Sequence, residues 1–165
     1  MRILVTGAGG LIGGYLASAF VQDGWHVIAL YRNKVPTIAG GVKGDVEYLQ
    51  MDLSNGLDGL KPVDVIIHAA AHTPQTPDPT AQNYIRSNVI GTMNLAEYAK
   101  ATRPAIFMYL STVSMYGDIT VAEVDENTPP NGPEMYGMTK YMGERILSEL
   151  AGEFPSVSVR LPGVV

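Results

Sequence analysis

Tyr136 and Lys140 place a phenol and an ammonium four residues apart, a spacing that puts both on one helical face. A free phenol has a pKa of about 10 and is a poor base at neutral pH. A nearby ammonium, or a cationic ring brought to the site, would favour the phenolate and lower that value. Thr112 supplies a hydroxyl able to donate to a substrate oxygen. Together they make an acid/base, its electrostatic tuner and an orienting donor. At the other end of the chain, Thr6-Gly7-Ala8-Gly9-Gly10-Leu11-Ile12-Gly13 spaces glycines for a pyrophosphate. One glycine permits an unusual turn, one lets the backbone approach the ligand, and one lets helix and strand pack closely. The helix start adds N–H donors and a positive dipole end. Each signal also has an ordinary counterpart: a helical surface pair, a strand-end cap at Thr112, a tight connecting turn. Their joint occurrence favours a nicotinamide-dependent site.

Further residues fit the same ligand. The second strand ends Ala29-Leu30-Tyr31-Arg32-Asn33-Lys34, without the acid that accepts from ribose hydroxyls in NAD sites. Arg32 could instead pair with a 2′-phosphate and stack on adenine, with Lys34 adding charge, so NADP is favoured over NAD. Asp52 could accept from the adenine amino group or serve as a cap. Ala69, Ala70 and Ala71 would let a cofactor lie against the backbone. Leu11, Ile12, Tyr31 and Leu53 are expected beside these groups. His68 and His72 flank the alanines but have no matching carboxylate motif, so no metal site is expected.

These residues need a scaffold that brings strand ends together. The chain has 165 residues, 46% hydrophobic and 16% charged, enough for one domain with a sizeable core. A net charge of −5 offers no footprint for nucleic acid or an anionic membrane, and the absence of cysteine excludes disulfides and thiolate chemistry. No apolar run is long enough to span a bilayer, and the first strand starts at once, so a cytoplasmic location is expected. Strand-length apolar runs at Arg2–Thr6, Trp25–Tyr31, Val46–Met51, Val63–His68, Ile106–Leu110 and Val157–Leu161 alternate with helical patterns at Leu11–Gln22, Thr80–Lys100 and Glu134–Ala151. A short helix is expected around Asn55–Lys61 and a loop over Ser114–Pro133. Such alternation specifies an α/β fold: a doubly wound parallel sheet (Rossmann fold), six strands in order 3-2-1-4-5-6.

In sequence order the motifs resemble the extended short-chain dehydrogenase/reductases, of the NAD(P)-dependent epimerase/dehydratase family. Thr6–Gly13 matches the Thr-Gly-xx-Gly-xx-Gly fingerprint. Asp52-Leu53, His68–Ala71, Asn88–Asn94, Leu110–Gly117 and Asp125–Pro130 match later blocks, leading into Tyr136, Lys140 and Glu144. The resemblance implies hydride exchange with a nicotinamide, with Tyr136 as acid/base, Lys140 as its partner and ribose ligand, and Thr112 as substrate-binding hydroxyl. It implies that Asn88 lies near the cofactor and supports the active-site backbone. Family substrates are often nucleotide-sugars, though steroids, flavonoids and other carbonyl compounds occur. Val113 and Ser114 stand where the family's 4,6-dehydratases carry Asp-Glu, which argues against dehydration and leaves epimerisation, oxidation or carbonyl reduction. A homodimer through helices near 80–100 and 134–151 is also implied. Family members continue into a smaller C-terminal substrate domain, so residues 1–165 are expected to be the NAD(P)-binding domain alone, truncated before it. An open substrate pocket, with apolar area exposed near Val164 and Val165, would follow. A dinucleotide sensor without turnover, or an inactive fragment, is the alternative.

Overall fold

The computed structural model describes residues 1–38 and 44–163; Val164 and Val165, and the apolar exposure expected there, lie outside the described residues. Strands of a parallel sheet covered on both faces need continuous apolar runs rather than alternation. The inner strands β1 (Arg2–Thr6), β2 (His26–Tyr31) and β4 (Val65–His68) have them and are almost wholly buried. With β3 (Val46–Gln50), β5 (Ile106–Thr112) and β6 (Ser156–Leu161) they form one six-stranded parallel sheet in the order β3-β2-β1-β4-β5-β6. Register places Thr6 opposite Leu30 on one side and His68 on the other, and His68 opposite Tyr109.

Helix α1 (Leu11–Gln22) covers one face, setting Ala17 and Val21 against Ile3, Val5, Val27 and Ile67. The opposite face carries the larger core, in which Leu4, Ile28, Ile66 and Phe107 meet Leu95, Ala96 and Ala99 of α3 (Gly91–Thr102) and Leu147 of α4 (Met135–Glu149). Burial of each large aliphatic or aromatic side chain contributes roughly 1.5–3 kcal/mol. The chain leaves β1 for one face and β4 for the other, so a crevice opens at the carboxyl ends of these two strands.

The helix expected over Thr80–Lys100 is interrupted. Thr80 caps α2 (Ala81–Tyr84), its hydroxyl accepting from Asn83 N at 3.3 Å. A π-helical segment follows at Ile85–Ile90, and α3 then runs to Thr102, ending where Arg103 turns left-handed at φ 50°. The short helix expected at Asn55–Lys61 is absent. A single 3-10 turn forms earlier, at Leu53–Asn55, because Asp52 caps it, and the glycine- and proline-containing residues beyond make turns. Strand β5 is longer than expected and carries Thr112 as its last residue. A 3-10 turn, Val113–Tyr116, opens the Ser114–Pro133 stretch, which is otherwise irregular. No helix among the described residues is long and apolar enough to cross a membrane.

Candidate active site

The crevice is a cleft of about 420 Å³. Its floor is the first βα turn, with Gly7, Gly10, Leu11, Ile12 and Gly13 all lining it. Gly7 takes φ +69°, and a Cβ there would stand 2.7 Å from the Ala70 Cα. A Cβ on Gly13 would stand 2.7 Å from the Gly7 carbonyl carbon. Any side chain at either position would therefore push apart strand, helix and the alanine segment. Gly10 caps α1 without a side-chain hydrogen bond, so no capping side chain competes with an anion for the first-turn N–H groups of the helix. The donor set and the space both fit a dinucleotide pyrophosphate.

Ala69, Ala70 and Ala71 form the facing wall, and Arg32, Asp52 and Leu53 the far end. Arg32 Nη1 donates to Ser87 Oγ at 3.1 Å. Asp52 is a cap in this structure: its Oδ1 accepts from Ser54 N (3.0 Å) and Ser54 Oγ (2.8 Å), while Arg86 lies 3.5 Å from Oδ2. Partial burial works against its charge, but the Ser54 hydrogen bonds and the Arg32 and Arg86 guanidinium groups hold its pKa below the usual carboxylate value. Tyr31, at the end of β2, is not among the cleft-lining residues. Thr73, Thr76 and Ser87, which the sequence reading did not single out, do line the cleft. Their only signal is position: Thr73 and Thr76 follow the His68–Ala71 block and Ser87 directly precedes Asn88.

Asn88 does not line the cleft. It is buried in the π-helical segment and clasps the backbone of the segment after β4. Its Oδ1 accepts from His72 N (2.7 Å), and its Nδ2 donates to His72 O (3.0 Å) and Thr139 Oγ1 (3.1 Å). The extra residue of a π-turn rotates Asn88 inward to make these bonds. Asn88 thereby joins the alanine wall to α4, the helix of Tyr136 and Lys140.

The Tyr136 ring packs against Tyr84, centroids 6.2 Å apart, and Tyr84 in turn meets the His72 ring edge-on at 5.2 Å. Burial raises the Tyr136 pKa; the Thr112 hydroxyl lowers it and Tyr84 raises it further. The expected depression by Lys140 is not what the structure shows. The lysine side chain is 2% exposed, and its ammonium lies 4.0 Å above the Tyr109 ring instead. Burial brings the Lys140 pKa down to about 7, with Glu144 pulling the other way. Thr112 Oγ1 accepts from Ser114 N and donates to Ser114 Oγ, both at 3.1 Å, so it caps the 3-10 turn. Behind it, Ser111 Oγ donates to Glu144, and Arg160 Nη2 donates to Glu144 Oε2 at 2.7 Å. Arg160 Nη1 also donates to Tyr116 Oη at 2.7 Å, tying β6, α4 and the turn after β5 together.

A six-stranded doubly wound sheet with a glycine turn at its switch point defines a dinucleotide-binding domain. The model of the NAD dependent epimerase/dehydratase family matches residues 3–165, and the chain belongs to that family. It is 34% identical over 170 residues to a 4-hydroxy-2-methyl-3-oxo-4-farnesyl-3,4-dihydroquinoline-1-oxide ketoreductase of Stigmatella aurantiaca, covering 97% of this chain and 49% of that protein. It is 28% identical over 156 residues to a UDP-glucose 4-epimerase of Lactobacillus helveticus, covering 90% of this chain and 46% of the relative. Among solved structures, MoeE5 in complex with UDP-glucose and NAD superposes with a TM-score of 0.85 at 28% identity, over 97% of this chain and 54% of that one. The chain spans about half the length of the curated relatives it matches.

Proposed function

We propose that this chain is the cofactor-binding part of an NADP-dependent epimerase or reductase acting on a carbonyl or hydroxyl group, with a nucleotide-sugar as the favoured substrate. The observation that carries the reading is the convergence of Thr112 and Tyr136 at the carboxyl end of β5, beside a glycine- and alanine-walled cleft that fits a dinucleotide. A bound nicotinamide supplies hydride acceptance or donation. Tyr136 holds or accepts the proton of the reacting oxygen, and Thr112 orients that oxygen once its proton turns from Ser114. Lys140 is to hold the nicotinamide ribose, which requires its ammonium to leave the Tyr109 ring. Val113 and Ser114 offer no carboxylates for dehydration. The nucleotide-sugar assignment draws on the relatives that act on or bind UDP-glucose. The proposal includes a cytoplasmic location.

NADP over NAD is argued from Arg32, which lines the cleft and stands where NAD sites carry an acid. Titration of this chain should give at least about tenfold tighter binding of NADPH than NADH, about the value of one charge-assisted contact. Arg32→Glu should reverse the order; equal affinities would sink the preference. If neither dinucleotide binds at millimolar concentration, the cofactor reading fails. In the whole protein, Tyr136→Phe should cut hydride transfer by about 10²–10⁴-fold while binding persists, whereas a sensor would keep its output. The proposal also includes a homodimer. It is supported by exposed Ile85, Ile90 and Met93 on one helical stretch and Met135, Met138 and Met142 on α4. Light scattering that shows only monomer at high concentration would count against it.

A further inference from the structure

His68 is buried at the end of β4, with no exposed surface, and no step above uses it. Both ring nitrogens are engaged: Nδ1 lies 2.7 Å from Thr6 Oγ1 and Nε2 lies 2.9 Å from Thr92 Oγ1. The outer partners fix the direction of every bond. Thr92 Oγ1 donates to the Asn88 carbonyl at 2.6 Å, and a hydroxyl has one proton. Thr92 must therefore accept from His68, which makes Nε2 the protonated nitrogen. In the neutral ring Nδ1 is then an acceptor, so Thr6 donates to it while its oxygen accepts from Ala70 N–H at 3.2 Å. The tautomer follows from this proton count alone.

We propose that His68 is a positioning residue: a neutral, Nε2-protonated link in a one-way hydrogen-bond chain from Ala70 through Thr6, His68 and Thr92 to Asn88. It fixes the alanine wall of the cofactor cleft against the π-helical segment. Each end matters to the ligand. Ala70 is the atom group that a side chain on Gly7 would strike, and Asn88 holds the His72 backbone two residues further on. The chain therefore pins Ala69–His72 from both sides. The titratable groups facing the ring are Lys140 of α4 and Tyr109 of β5; burial keeps the imidazole neutral, and the Lys140 ammonium, where charged, acts in the same direction. The ring packs edge-on against Phe107, centroids 6.1 Å apart.

This inference rests on the cofactor reading of the cleft, and its test separates the two. In the unsubstituted chain, ¹⁵N–¹H correlation spectra of His68 should show a proton on Nε2 only, unchanged from pH 5.5 to 8. A proton on Nδ1, or titration in that window, overturns the proposal without any cofactor present. NADPH is then titrated into Thr6→Val, Thr92→Val and the double variant. Each single change should raise the Kd by about fivefold, roughly the net value of one hydrogen bond, and the double change by little more than the larger single one. Thr6 and Thr92 each bond the ring, on opposite nitrogens, so fold-changes that simply multiply would mean no chain and overturn it. His68→Gln can set its amide NH2 towards Thr92 in place of Nε2, which leaves no acceptor at the Nδ1 position facing Thr6, and should match Thr6→Val in Kd. An unsubstituted chain that binds no dinucleotide sinks both readings; one that binds with independent substitutions sinks this one alone.

Discussion

On the β1–α1 side of the cleft, ligand space exists because side chains are missing. On the β5–α4 side, beyond the residues that line the cleft, the second wall of the candidate site is built from polar side chains that are largely buried and paired with one another. Gly7, Gly13 and Ala69–Ala71 shape the first wall with backbone alone, and the donors it offers are peptide N–H groups at a helix start. The second wall sets Ser111, Glu144, Arg160 and Tyr116 in one hydrogen-bonded network and folds Lys140 onto Tyr109. Backbone donors keep their charge pattern at any pH, and they are placed by the fold itself. Side-chain groups must be desolvated to be placed, and the cost appears in their pKa values. The first wall should therefore fail through sterics and affinity, the second through stability and pH.

The largest effect should come from filling the backbone-built wall. Gly13→Val puts branched carbon where even a Cβ would crowd the Gly7 carbonyl carbon at 2.7 Å. Helix α1 must move off β1, taking its first-turn donors with it. Dinucleotide affinity should fall by about 100-fold or more, and overpacking should cost about 1–3 kcal/mol. Calorimetric titration with a thermal melt checks both. A variant that melts normally and still binds would show that the turn is not the ligand's seat.

A smaller effect of opposite sign is expected from the side-chain wall. The Lys140 ammonium has a pKa of about 7 in the folded chain, against about 10.4 in an unfolded one. Between those values the unfolded chain holds a proton that the folded chain has released. Stability should accordingly rise as pH is raised from 7 to 9. Lys140→Met, close in length and without charge, should stabilise the fold at pH 7 by on the order of 3 kcal/mol and flatten that rise. Urea unfolding at pH 7 and 9 measures it. A destabilised variant, or an unchanged slope, would mean that the lysine is satisfied where it lies.

The two walls were also unequally legible. The glycine turn was readable because its chemistry is local: spacing, a strand before and a helix after determine where the backbone goes, and the cleft forms there. Strand order followed for a similar reason, since parallel strands with right-handed crossovers leave few topologies. The π-turn at Ile85–Ile90 was not readable, because its pattern is a helix's with one residue gained, and the gain is stabilised by partners 16 and 51 residues from Asn88. The position of the Lys140 ammonium was not readable either. A four-residue spacing fixes the Cβ directions but not where a four-carbon side chain ends, and Tyr109 on β5 decides that.

Thr112 gives the finest separation of the two walls, because it carries two claims on one hydroxyl. As a cap it accepts from Ser114 N; as a substrate donor it needs a proton that Ser114 Oγ now takes. Thr112→Val removes the cap and should cost about 1 kcal/mol in a thermal melt, with Thr112→Ser restoring most of it. Ser114→Ala removes only the acceptor, so it should cost less, roughly 0.5 kcal/mol, and leave the cap intact. Neither change touches the glycine turn or the alanine wall, so NADPH affinity should stay within about twofold of the parent value. A large loss of NADPH affinity on Thr112→Val would mean that the walls are coupled through β5, and the division between backbone-built and side-chain-built halves would have to be abandoned.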